Sequence, residues 1–527
     1  MGILNNNCIH FTLITYCMLC SFSMNAANVN IVCDSIDDSI HVMDFPDSIN
    51  SAPILDIAID SIIRDSSVFV SDKKENWGMA IGQGVFINTL VWSIDKWALK
   101  RPYCSTGWET LKENIKRGFV WDCDALSTNF FDHPFHGAQY YNAARVNGLN
   151  FYQSSLLTLL GSLEWEELAE TDYPAPNDMF STTIGGVAFG EVTNRVSKIL
   201  LNNRKRKLSR ISCELINSVI NPTFEVNRLI YGEAWRIDEN KYLYHDKEEI
   251  PYNIYISLGS RWADAKTANS RCNVSTQLKI DYGKWTDLRH NKPFDQFMST
   301  FVINPPSYHI PYFSEVNINA RLYGWPVKES DNMNCILSIN QDFTYFNNEK
   351  EERYKGDKRQ VLHLAEPSSF GPALYLQTPH YKNLTTTNLA FIGAYVSDYY
   401  YRIYNMGSGF NVKSYNNWNW NEKIELTLDF GFHYLFTWKG YEADQIKAFQ
   451  EQGKEPPYTF KKEARKAGDK GYATFFMIKP RMDINLFSNV YVSLIAQLAN
   501  RNSVYKYHEN VKSYYNEFIM ALTYKFK

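Results

Sequence analysis

The segment KIELTLDFGFHYLFTW places Ile424, Leu426, Leu428, Phe430, Phe432, Tyr434, Phe436 and Trp438 at eight successive alternate positions. Opposite them stand Lys423, Glu425, Thr427, Asp429, Gly431 and His433. Successive side chains of a strand point to opposite faces, so a period of two predicts a β-strand with one oily and one wet face. At ~3.3 Å per residue, eight oily positions outrun the hydrocarbon core of a bilayer even when the strand is tilted. Shorter stretches repeat the alternation: NVSTQLKIDY (Asn273 to Tyr282), EVNINARLYG, NCILSINQDFTY and VYVSLIAQL.

Two architectures accommodate this pattern. A soluble sandwich or lipocalin-like barrel buries the oily face, whereas an outer-membrane barrel turns it to lipid and keeps polar groups in the lumen. The strand length favours the membrane, and so do long charged connections such as Lys439 to Tyr472. The chain also ends in EFIMALTYKFK, with Phe518, Met520, Leu522, Tyr524 and Phe526 on one face, although Lys527 follows the last aromatic. Alternating segments from about Tyr252 onward amount to ten to twelve strands, and twelve is favoured; FDQFMSTFVINPPS and GPALYLQTPHYKN are broken by proline and read equally as strand or loop.

Composition agrees. Of 527 residues 15% are aromatic, including 35 tyrosines, and membrane interfaces suit large amphipathic rings. The net charge of −3, with scattered basic residues, argues against nucleic acid as a partner. The run Phe11 to Ala27 is uncharged and ends in small residues, as a secretory signal does, although Met1 to His10 contains no Lys or Arg. Of the cysteines beyond it, Cys33, Cys104, Cys123, Cys213, Cys272 and Cys335 are too widely spaced for a zinc site or a disulfide framework. Residues 28–76 are rich in Asp and Ser and too poor in apolar residues for a core, so an acidic, poorly ordered arm is expected there.

From Trp77 to about Leu208 the period is helical. The spacing predicts a first helix ending before Arg101-Pro102, a second over Ala138 to Leu160, a short one at Leu163 to Glu170 and a fourth from Ile184. Between Arg145 and Glu164 stand eighteen uncharged residues, but Asn147, Asn150, Gln153, Ser154, Ser155 and Thr158 among them favour a helix packed within protein over a membrane span. The basic run Arg204 to Lys207 complements the dipole at the fourth helix's end, with contact to anionic lipid as the other reading. The expected fold is therefore α+β: residues 1–27 a signal peptide, 28–76 the arm, 77–208 a helical domain, and 222–527 an antiparallel transmembrane-type β-barrel of roughly twelve strands.

The run WDCDALSTNFFDHPFHGAQYYNAARVNGLNFYQS (Trp121 to Ser154), followed by GSLEWEELAE, PNDMFSTTIGG and GEVTNRVSK, resembles the bacterial domain of unknown function 3943, seen mostly in Bacteroidetes proteins. The resemblance spans about Trp77 to Leu201. It implies a helical domain joined to a C-terminal outer-membrane-like barrel and implies no activity.

The residues must then be weighed by their own chemistry. Asp132, His133 and His136 are of types that bind metals, but Pro134 separates the histidines and no third ligand stands at a recognised spacing, so neither metal nor cofactor is expected. A hydrolase would need His133 or His136 as base and Ser154 or Ser155 as nucleophile, and no G-x-S-x-G turn accompanies them. A structural polar network explains more. Its members are Asp122, Asp132, His133, His136, Arg145, Asn147, Glu164, Glu166, Glu170, Asp178, Glu191 and Arg195, with the glutamates 164 to 170 as partners for Arg145 or Arg195, since buried charges must be paired. Asp132 and Asp178 are expected to cap helix entries. The functional expectation is an outer-membrane barrel with an associated plug-like helical domain, lipid as its partner and a role in envelope passage or organisation. The alternative is an envelope enzyme acting on lipid or glycan.

Overall fold

The computed structural model describes residues 74–121, 124, 126–203, 205–237, 250–263, 273–304, 313–347, 363–396, 404–421, 423–439 and 470–526. The expected signal peptide and nearly all of the acidic arm lie outside the described residues, as do Asp122 and most of the connection from Lys439 to Tyr472.

Helices come first: α1 (Trp77–Ser93), α2 (Trp108–Arg117), α3 (His133–Val146), α4 (Phe151–Glu164), α5 (Pro176–Phe180), α6 (Gly186–Leu200), α7 (Lys207–Ile220) and α8 (Pro222–Ile230). The expected single helix over Ala138 to Leu160 is two. Gly148 sits at φ +88°, a left-handed conformation that ends α3, and Asn150 opens α4 with a reciprocal capping box to Gln153. The expected separate helix at Leu163 to Glu170 continues α4 as a π-turn, Trp165–Ala169. Helices also run past the expected boundary near Pro222. Proline is well tolerated at a first helical position, and the Asn221 side chain accepts the Phe224 N–H at 3.1 Å, so this pair starts α8.

The strands are β1 (Tyr252–Ala263), β2 (Asn273–Tyr282), β3 (Phe297–Ile303), β4 (Phe313–Lys328), β5 (Asn334–Asn347), β6 (His363–Gln377), β7 (Tyr381–Val396), β8 (Tyr404–Asn421), β9 (Ile424–Lys439), β10 (Gly471–Phe487), β11 (Val490–Tyr505) and β12 (Val511–Phe526). Each pairs antiparallel with its sequence neighbours, and β12 returns to β1 from Ile254↔Phe526 to Ala263↔Glu517, closing a twelve-stranded barrel. One end carries tight turns, with β8 to β9 and β10 to β11 joined by two residues each. The strand ends that the longer connections join, β5 to β6 and β9 to β10, lie at the other.

A single contact identifies the inner face. Lys479 of β10 donates to Glu315 of β4 at 2.8 Å, and these strands are six places apart whichever way the barrel is followed. Such a contact can only cross the lumen. By alternation Phe475, Met477, Arg481 and Asp483 then point inward, while Phe476 and Tyr472 point out and are exposed. On β12 the pattern is uninterrupted: Phe518, Met520, Leu522, Tyr524 and Phe526 all face outward and exposed, as the alternation predicts.

The helical domain is packed on the outside of this wall. Asn319 and Asp342 point inward, so their strand neighbours Ile318, Gln341 and Phe343 point out, yet all three are buried. Their cover is helical: Gln341 Nε2 donates to the Ile184 carbonyl at 2.8 Å, and Phe189 of α6 meets both Phe343 and Phe301 edge-on. Phe131 and Phe130 extend the cover to Tyr345 and Tyr404. Behind α6 lies α3. A Cβ on Gly186 would come within 2.7 Å of the Gly137 backbone, and only glycine at both positions permits that crossing.

An outward apolar face in lipid makes one prediction. Leu258, 58% exposed and opposite Leu522, should when changed to Arg lower the stability of the barrel in phospholipid vesicles by ~2–4 kcal/mol, read by denaturant titration. An unchanged midpoint would mean that this face lies in water.

Candidate functional site

The fully buried carboxylate of Glu191 on α6 is the hub of the helical domain. It accepts from Arg145 Nε at 2.8 Å and Nη2 at 3.2 Å, from Arg195 Nε at 2.8 Å and from the Tyr141 hydroxyl at 2.8 Å. Glu191 and Arg195 are one helical turn apart on one face, and Arg145 lies on α3, which crosses them. Arg195 reaches on to Asp295 at 3.1 Å in the connection between β2 and β3, so the chain of charges ties the helices to the barrel.

The partners of Arg145 thus differ from those expected. Glu164 accepts from Asn88, Glu166 from the backbone of Ala175 and Glu170 from the Trp165 indole, which commits these three to bracing α4 and its continuation. Asn147 donates to Gln83 at 2.7 Å and to the Ala143 carbonyl. Neither expected aspartate cap forms: Asp132 makes no side-chain bond to the start of α3, and Asp178 lies inside α5, where it accepts from Asn177 and faces His133 at 3.7 Å.

The two histidines diverge. His133 Nδ1 meets Thr182 Oγ1 at 3.1 Å, whereas His136 Nε2 meets the Tyr140 hydroxyl at 3.0 Å, with its ring edge-on to Trp165. The Ser154 and Ser155 hydroxyls donate to the Leu149 and Phe151 carbonyls, so neither is set up for attack by a neighbouring imidazole. Among the described residues no three His, Cys, Asp or Glu side chains converge as metal ligands would.

A second constellation, visible in the sequence only as the wet face of the strands, fills the lumen. Besides Lys479 and Glu315 it holds Lys413 with Asp342 at 2.6 Å, His433 with Glu366 at 2.9 Å, Arg261 with Glu517 at 2.9 Å and Arg481 with Asp483 at 2.8 Å. Asn411 adds a bond to Glu366 and Asn319 one to Asp342. Toward the long connections this layer gives way to Phe346, Leu364, Tyr395, Leu435 and Phe475, which pack together across the lumen. Toward the tight turns, residues 283–296 fold back: Trp285 stacks on Tyr375, and Arg321 donates to the Trp285 and His290 carbonyls at 2.7 Å. Charged side chains are therefore flanked by an apolar cluster toward one end and an aromatic one toward the other. Their signal in the sequence is Lys479, Arg481 and Asp483 at alternate positions of one strand, a poor fit to a soluble core.

Residues 118–223 match the domain of unknown function DUF3943, which thus runs from before α3 through α7 to the start of α8. No curated protein matches the chain. Among solved structures, the chain is similar to OmpT, an outer-membrane protein of Vibrio cholerae, at 7% identity and a TM-score of 0.24, covering 53% of this chain and 99% of that one. It is similar also to the outer-membrane channel DcaP of Acinetobacter baumannii, at 7% and 0.23, covering 53% and 97%. Outer-membrane phospholipase A of Escherichia coli gives 8% and 0.21, covering 51% and 89%. Overlap at this level assigns neither activity nor ligand to the chain.

Removing the hub should cost more than removing one spoke. Glu191→Ala strands two buried guanidiniums and is expected to destabilise the helical domain by ~3–5 kcal/mol. Arg145→Ala leaves Arg195 to compensate the carboxylate and should cost clearly less. Limited proteolysis across a denaturant series measures both, and equal costs would mean that Glu191 is not the shared partner.

Proposed function

We propose that this chain, with its DUF3943 domain fastened to the outside of a closed barrel, is an outer-membrane protein of a Gram-negative envelope that serves passage across that membrane. On this reading residues 1–27 direct export, the tight turns face the periplasm and the long connections face outward, as in other barrels of this kind. The proposed lipid partners are the acyl chains against β9 to β12 and β1, where the outward residues are apolar and uncovered.

The observation that carries passage rather than mere anchoring is the charged layer of the lumen. Ionisable groups within the membrane's depth are costly and mark the routes of polar solutes. Here Lys479, Glu315, Lys413, Asp342, Glu366 and His433 lie at mid-lumen, paired across it, with a packed cluster on either side. That arrangement suits a gated path in its shut conformation. The cross-lumen pairs hold it closed, and their exchange for pairs with a polar solute would open it. The twelve polar residues proposed from sequence, apart from Asp122, act on this reading as the scaffold of the helical domain, with no part in chemistry.

The test is ion flux in planar bilayers. The unaltered chain should conduct rarely, and Phe475→Ala combined with Lys479→Ala, which removes part of one cluster and the cross-lumen pair, should conduct steadily. Heat-modifiable migration on gels confirms that both are folded barrels. A folded double variant that passes no ions at any voltage would overturn the reading.

A further inference from the structure

The helical domain carries apolar faces outside and a mixed interior, in which apolar clusters around Ile87, Tyr140, Leu149 and Leu157 stand beside many polar side chains. Its interior holds Asn88, Asn142, Asn147, Glu191, Arg195 and Arg210, all buried. Its surface carries Ile81, Val85 and Phe86 of α1 and Leu156, Leu159 and Leu160 of α4, all exposed. On α7 the buried side is polar and the exposed side is largely apolar. Arg210, Cys213 and Asn217 face inward, while Leu208, Ile211, Leu215 and Val219 face outward, with Leu208 75% exposed. Scattered apolar residues on a surface are ordinary; contiguous exposed apolar faces on three helices mark a surface that meets something other than water.

We infer that the helical domain lies in the membrane beside the barrel, with the outer faces of α1 and α4 against lipid acyl chains and α7 at the lipid–water boundary. This rests on the reading of the barrel as a membrane protein.

Three independent features point to lipid as the occupant. First, the surface is continuous with the barrel's own oily band: the helices cover the outward faces of β3 to β5 toward the long connections, and below them Tyr323, Trp325 and Leu337 of the same strands are again exposed and apolar. Second, the hydroxyls on the exposed sides of these helices are satisfied within them, as hydrocarbon requires. Thr89 donates to the Val85 carbonyl at 2.8 Å, Ser93 to Thr89 at 2.6 Å and Ser155 to Phe151 at 2.8 Å. Third, α1 is uncharged from Trp77 to Ile94 and is flanked by groups that favour the interface: Trp77 at one end, and at the other Trp92 and Trp97, with the Lys96 ammonium over the Trp92 ring.

The dimensions fit as well. A helix of 17 residues is ~26 Å long, close to the ~30 Å hydrocarbon core. Among the described residues no helix is long and apolar enough to cross a membrane by itself. None needs to here, because α1 and α4 present one side to lipid and the other to α3, which is packed through α6 onto the barrel. The basic residues Lys205, Arg206 and Lys207 at the entry to α7 place cations where an amphipathic helix meets phosphate headgroups.

An environment-sensitive fluorescent amino acid placed singly at Val85, Leu156, Met520 or Glu113 of the full chain tests this. The variants are reconstituted in phosphatidylcholine–phosphatidylglycerol vesicles, and quenching by a mid-chain doxyl lipid is compared with quenching by aqueous iodide. The expected result is doxyl quenching at Val85 and Leu156 equal to that at Met520 on the barrel's lipid face, with Glu113 of α2 quenched by iodide alone. Doxyl quenching at Met520 with iodide quenching at Val85 and Leu156 would put the helical domain in water, overturning the inference and leaving the membrane barrel intact. Protection of Val85 and Leu156 from both quenchers would mean that a second copy of the chain covers the face, which also overturns it. Iodide quenching at Met520 would instead reject the membrane reading of the barrel.

Discussion

The return of β12 to β1 is the constraint on which the rest of this molecule depends. In hydrocarbon an unpaired strand edge leaves a row of amides and carbonyls without partners, at several kcal/mol each, so a sheet that crosses a membrane must close. Closure through ten paired positions, Ile254↔Phe526 to Ala263↔Glu517, removes the edge. It also sorts the side chains. Once the sheet is a closed surface, each strand has one outer side and one lumen side, and a residue's parity decides which it meets.

The two populations follow different physics. On the lumen side are polar and charged groups too close-packed for bulk water, and the ion pairs among them, such as Lys413 with Asp342 and His433 with Glu366, compensate one another's burial. Lys479 and Glu315 span the whole lumen, which is possible only because the barrel is narrow there and filled by its own side chains. On the outer side, apolar residues over part of the circumference are covered by helices. The helical domain is held there by aromatic packing of Phe131 and Phe189 and by the run of charges from Arg145 through Glu191 and Arg195 to Asp295. Closure therefore governs the helices too, since the surface they grip exists only when the outward residues of β3 to β5 stand in register.

Much of the barrel was legible in the chain, because period-two alternation is a local property. NVSTQLKIDY is β2, the eight-position segment lies in β9, and the closing aromatic face is the outward face of β12. Proline-broken segments were ambiguous for a local reason as well: Pro372 sits in β6 at an outward, exposed position, which a strand tolerates but its sequence obscures. The helical domain was legible as helical but not in its joints, because the stop at Gly148 depends on a left-handed backbone and the start at Pro222 on a cap. The pairing within the candidate site was the least legible. Arg145 and Glu191 are 46 residues apart and meet only because Gly137 and Gly186 let two helices cross closely, whereas nearby glutamates offered themselves at shorter spacing. The lumen pairs were hidden for the same reason, Lys479 and Glu315 being 164 residues apart. Spacing within one element can be read from sequence; contacts across a closed surface require the surface.

The helical domain stands beside the barrel wall and leaves the lumen to the strands' own side chains. A cryo-electron-microscopy map of the full chain in a lipid nanodisc measures this most directly. The expected map has helical density alongside β3 to β5 within the thickness of the disc and side-chain density bridging the lumen at Lys479 and Glu315. Helices inside the lumen, or detached below the disc with β3 to β5 facing lipid along their whole length, would contradict it.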